Sequence, residues 1–156
     1  MTRGEAWFSH GTTALVGGTG VIYGWMRYLA EPTDEFALVN HPRQPDLQGL
    51  HILFAPWLVF AVALLWRNHI WGRVRSGFRP RRKGGLSLLA IFFPMVASGY
   101  LLQTTADQAW LRAWVVVHVA TSCLWILTYV AHQLSPRSRG STGPSNDSTV
   151  SSSRRA

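Results

Sequence analysis

Cysteine is almost missing from this chain. Its 156 residues include one, Cys123, inside an apolar stretch. That excludes an intrachain disulfide and any cysteine-built zinc or iron–sulfur centre, and without a C-x-x-C-H motif haem cannot be attached covalently. Cys123 itself reads as a small packing residue. Charge is also scarce at 14% of residues, and acids are scarcer than bases: seven Asp and Glu against fifteen Lys and Arg, net +8. No dinucleotide fingerprint and no P-loop is present, so nucleotide-driven chemistry has no sequence basis here.

What the chain does have is apolar length. The mean hydropathy is near neutral only because very polar ends are averaged with apolar blocks. Four stretches, about 7–30, 47–71, 86–105 and 109–134, are each long enough to cross a hydrocarbon core of about 30 Å. None alternates as a strand would. The expected fold is therefore all-α, an integral-membrane four-helix bundle running up-down-up-down through residues 1–134. The first stretch is longer than a signal-peptide core and contains His10, so it reads as uncleaved. Residues 135–156 are rich in Ser, Gly and Pro with no apolar pattern, and read as a disordered cytoplasmic tail.

Charge sets the expected orientation. The link between the second and third stretches, "RVRSGFRPRRK", has six bases and no acid. The link between the first and second carries Glu31, Asp34, Glu35 and Asp46 against Arg43 alone. The positive-inside rule places the arginine-rich link and both termini in the cytoplasm, and residues 31–46 on the outer side, the periplasm in a bacterium. Trp7, Trp71 and Trp110 fall near span ends, where interfacial aromatics belong. The expected location is the bacterial cytoplasmic (inner) membrane. There the arginine-rich link can also meet anionic lipid.

Six histidines remain to be explained, and four of them, His10, His51, His118 and His132, lie in or near the membrane. Ionisable groups at that depth are costly and mark function. His118 and His132 are fourteen residues apart in "HVATSCLWILTYVAH". On a helix that spacing brings them back to nearly the same face, about 21 Å apart along the axis. One ion cannot use both. Two planar cofactors stacked in a bundle can, and non-covalent b-type haem takes neutral imidazole as axial ligand.

Orientation then selects the partners. His10 falls at the level of His132 near the inner face, and His51 towards the level of His118 near the outer face. The second match is imperfect, His51 being about one turn into its stretch and His118 about three, a mismatch that tilt absorbs in part. Gly17 and Gly24 share the face of His10 and suit a flat macrocycle or a close helix. The third stretch has no histidine and reads as a packing wall with Pro94. The plain alternative for each histidine is a polar residue bonded to a neighbouring helix. His69, eighteen residues after His51, shares its face near the inner level. It is interfacial, a replacement for His10, or a group near a quinone. Asn68, His69 and Gln133 are the quinone-site candidates by position. His41 reads as a solvated loop residue. Thr121, Ser122 and Thr128 either tune the imidazoles or bond back to helix carbonyls, as helical hydroxyls commonly do.

One histidine opening the first span ("FSHGT"), one opening the second ("LQGLHILFAPW") and two fourteen apart on the fourth resemble the bacterial dihaem cytochrome b561 superfamily. That group includes the membrane cytochrome b subunits of formate dehydrogenases and nickel–iron hydrogenases, and the small stand-alone cytochrome b561. The resemblance covers residues 7–134. It implies two haem b groups, with His10 and His132 as inner ligands and His51 and His118 as outer ligands. It also implies electron transfer between a periplasmic dehydrogenase, hydrogenase or cytochrome subunit and the membrane quinone pool. The chain is shorter than most such subunits and lacks the fifth helix of some hydrogenase cytochromes. Two other functions fit the residues: a stand-alone cytochrome b561 oxidising superoxide or a small reductant with quinone as acceptor, and a non-redox metal-ion transporter. The transporter is weakened by the lack of any mid-membrane acid.

Overall fold

A computed structural model describes residues 2–32, 34–66, 71 and 82–135, apart from the side chains of 82 and 83. The described residues are all-helical. The elements are α1 (Arg3–Tyr28), α2 (Gln44–Leu65), α3 (Arg82–Thr104) and α4 (Gln108–Leu134). The arginine-rich link, Asn68, His69 and the tail beyond Ser135 lie outside the described residues.

Helix ends follow local chemistry. Thr2 and Glu5 form a reciprocal capping box that starts α1, and Asp107 caps α4 by accepting from the Ala109 and Trp110 amides. Pro45 stands in the first turn of α2, where its missing N–H costs nothing. That start is three residues earlier than the apolar pattern implies, because Gln44 and Asp46 are polar yet helical.

Packing contacts define the layout. Phe8 meets Trp57 and Phe60, while Gly20 lies against His51, so α1 and α2 run antiparallel. Gly84 lies against His132, Phe92 against Trp125 and Gly99 against His118, so α3 and α4 do the same. These two hairpins are the closest helix pairs. Between them, His10 bonds Tyr129 and Gly17 faces Ile126, which places α1 beside α4 in opposite directions. All four helices contribute to one core: Val16, Leu58, Phe92, Met95 and Trp125.

The outside of the bundle is as apolar as the inside. Trp57, Phe60, Phe93, Val116, Leu124 and Leu127 are all exposed. A helix apolar all round belongs in a membrane or a large core. Helices α2, α3 from Gly84, and α4 are long and apolar enough to cross a membrane. The expectation was four such helices. α1 is long enough, 26 residues or about 39 Å, but six glycines and three threonines dilute its apolar character. Two of the threonines, Thr12 and Thr13, are buried in the bundle. Thr12 and Thr19 donate back to carbonyls on their own helix, at 3.0 Å to Phe8 and 2.8 Å to Leu15.

Candidate functional site: two facing imidazoles between the hairpins

His51 on α2 and His118 on α4 face each other across the bundle. Their ring centroids are 6.3 Å apart and their planes are 71° to each other. The helix starts account for the match in depth. His51 is seven residues into α2 and His118 ten into α4, an offset of about 4.5 Å along the axes. The two histidines expected at the outer level are thus brought into contact.

Each ring is fixed by the neighbouring helix of its own hairpin. His51 Nδ1 donates to the Val16 carbonyl at 3.1 Å, with Thr19 Oγ1 at 3.3 Å. His118 Nδ1 donates to the Met95 carbonyl at 3.0 Å, with Ser98 Oγ at 3.3 Å. A carbonyl only accepts, so each Nδ1 carries the ring proton and each Nε2 keeps its lone pair. Thr19 and Ser98 donate their own hydroxyl protons to Leu15 and Pro94, leaving oxygen lone pairs towards the rings.

A glycine backs each ring. A Cβ on Gly20 would lie 2.9 Å from His51 Cε1, and one on Gly99 would lie 3.1 Å from His118 Cε1. The two seats have one grammar: a carbonyl, a hydroxyl three residues on, and a glycine one residue further. It is "VGGTG" (16–20) on α1 and "MVASG" (95–99) on α3. The sequence reading missed this repeat. Two five-residue segments, each ending in a hydroxyl residue and a glycine, were the available signal. It singled out Gly17 and Gly24, as room for a flat group or a close helix. Gly17 opposes Ile126, and Gly24 has nothing within 4 Å of the space a Cβ would take. Three residues separate Gly17 from Gly20, about 300° of helix turn, and only contact with α2 decides which one meets a ring.

This donor set fits a metal held between two neutral imidazoles. At about 2 Å per metal–nitrogen bond, two imidazoles on opposite sides of one ion have centroids about 6 Å apart. Nδ1–H bonds to carbonyls are the second-sphere contacts that orient metal-binding histidines. Among the described residues no three of His, Cys, Asp and Glu gather into a conventional metal-ion cluster.

His10 and His132 are seated differently. His10 Nδ1 is hydrogen-bonded to the Tyr129 hydroxyl. Tyr129 stacks on Trp125, with centroids 5.4 Å apart and planes at 17°. His132 lies three residues after Tyr129, and its Nδ1 is 3.2 Å from where a Gly84 Cβ would be. His10 therefore stands beside the last turns of α4. Gln133 is exposed. His41 is not simply solvated: it packs on Trp25, and its Nδ1 accepts from the Arg43 amide at 3.1 Å. Thr121 and Thr128 bond back to Val117 and Leu124 at 2.7 Å each and do not reach the imidazoles.

An apolar crevice of about 320 Å³ opens between α2 and α3, lined by Val59, Val62, Trp66, Leu89, Phe92 and Phe93. No family model matches the chain, and no curated protein or solved structure is significantly similar to it.

Proposed function

We propose that this chain is a dihaem b-type membrane cytochrome that carries electrons across a bacterial inner membrane, between a periplasmic redox partner and the quinone pool. The observation that carries the reading is the His51–His118 pair. Two imidazoles from different helices face each other at 6.3 Å, both with Nδ1 committed to carbonyls and Nε2 available. A bond to a carbonyl of a neighbouring helix is also what a purely structural histidine makes; what favours ligation is that two such rings meet at 6.3 Å with neither Nδ1 bonded to the other.

In this reading His51 and His118 hold an outer haem b, and His10 and His132 an inner one. When bound, haem held by these four imidazoles would supply one-electron exchange. The chain's own residues orient the imidazoles through Val16, Thr19, Met95 and Ser98. The apolar core around Trp125 keeps water from the space between the two levels. The 21 Å rise from His118 to His132, about four turns, spans most of the hydrocarbon. α1 acts as the fourth crossing, with Thr12 and Thr13 buried in the bundle and Gly20 against His51. In this reading both termini and the arginine-rich link lie in the cytoplasm, which puts Gln133 on the inner side where a quinone would react; Asn68 and His69 are quinone-site candidates by sequence position. In this reading the chain acts as a conduit and takes electrons from a partner.

The deciding experiment is a reduced-minus-oxidised spectrum of the purified chain together with haem per polypeptide. Two b haems are expected. A colourless preparation from haem-replete cells ends the proposal.

A further inference from the structure

The inner and outer histidines differ in what anchors them, and the consequence rests on the dihaem reading. His51 and His118 donate to backbone carbonyls, which can only accept. His10 instead meets the phenol of Tyr129, which can accept or donate. If the phenol donated to Nδ1, the ring proton of a neutral His10 would sit on Nε2, and that nitrogen could bind no metal. Ligation through Nε2 therefore requires Nδ1–H to donate to the Tyr129 oxygen. The phenolic proton must then go to another acceptor.

Thr13 supplies one. Its hydroxyl is buried, with only 8% of the residue exposed, and has no hydrogen-bond partner; it stands one helical turn from His10, on the same face of α1. Its neighbour Thr12 behaves otherwise and donates to the Phe8 and Ser9 carbonyls at 3.0 and 3.1 Å. An unused buried hydroxyl normally costs stability. Here it stands on the face of α1 that meets the phenol. Tyr129 is itself held flat against Trp125.

We propose that Tyr129 is a positioning residue for the inner haem, and that Thr13 accepts its phenolic proton, so that His10 is fixed as the Nδ1–H tautomer with Nε2 free. Donation from Nδ1–H makes an imidazole ligand more basic. Tyr129 therefore holds the inner midpoint potential below the value it would have without that acceptor. The outer site, seated on carbonyls of α1 and α3, is insensitive to residues 13 and 129.

The test uses the full purified chain with Tyr129→Phe and Thr13→Val, both close in shape to the native side chains. Haem per polypeptide and both midpoint potentials are read by spectroelectrochemical titration, and His10→Ala identifies the inner signal. Tyr129→Phe is expected to keep two haems and raise only the inner midpoint, by about a tenfold change in its one-electron equilibrium, or about 59 mV. Selective loss of the inner haem also supports the positioning role. Thr13→Val should move the same midpoint in the same direction. Two unmoved midpoints, equal movement of both, or loss of both haems in Tyr129→Phe would overturn the role of Tyr129. A Thr13→Val protein identical to wild type would overturn the relay. A wild-type chain without haem refutes the dihaem reading itself, a separate result.

Discussion

Gly20→Ala adds one methyl group at the tightest contact of the outer site. The new Cβ would stand 2.9 Å from His51 Cε1 and 3.2 Å from Nδ1. Ordinary carbon–carbon contact is about 3.5–4.0 Å, so the ring must retreat by about 0.6 Å. Retreat from α1 is also retreat from the Val16 carbonyl, whose hydrogen bond starts at 3.1 Å and has little length to spare. Overpacking costs about 1–3 kcal/mol, and a weakened hydrogen bond adds up to about 1 kcal/mol. Alanine returns about 0.5–1 kcal/mol of helix propensity. The net loss is about 1–2 kcal/mol, a five- to thirtyfold weaker hold on whatever His51 and His118 bind. Gly18→Ala is the internal control, since nothing lies within 4 Å of its Cβ position. It brings the propensity gain without the clash. The assay is haem titration of the purified apo-chain, following the signal that His118→Ala removes. Gly20→Ala should bind that haem five- to thirtyfold more weakly, and Gly18→Ala should match wild type. Equal behaviour of the two alanine variants would refute the seat argument.

Other outcomes follow from the same contacts. Gly99→Ala meets His118 less closely, at 3.1 and 3.4 Å, so its loss of outer haem affinity should be smaller than that of Gly20→Ala in the same titration. His51→Ala and His118→Ala should each abolish one spectral component, and His10→Ala and His132→Ala the other; a different grouping of the four spectra refutes the pairing. Trp125→Ala removes the ring between Phe92 and Tyr129 at the core, and should cost about 3–5 kcal/mol in unfolding measured in detergent. Thr2→Ala breaks the capping box of α1; amide exchange in the first turn should rise by about fivefold, a loss of about 1 kcal/mol, with both haem signals unchanged.

Helical character and the order of the helices were legible in the sequence because they depend on local quantities. Apolar run length sets where a helix can sit in a membrane, and a rise of 1.5 Å per residue places His118 and His132 on one face whatever surrounds them. Boundaries were less legible. Gln44 and Asp46 look like loop residues, and their helical state comes from the proline start of α2 and not from hydropathy. α1 was read as a span like the others, yet Thr12 and Thr13 are buried in the bundle and Gly20 backs His51.

What only the tertiary structure decided is which atoms meet. Gly17, Gly20 and Gly24 all lie on α1, and nothing in their spacing from His10 reveals that Gly20 alone touches His51. The seats at 16–20 and 95–99 have meaning only once α2 and α4 lie against them. Tyr129 is one turn before His132 in the chain, but its partner His10 is 119 positions away. Periodicity fixes a residue's face and depth because the helix is a local object. Hydrogen-bond partners depend on how helices pack, and packing is settled by side chains distant in sequence.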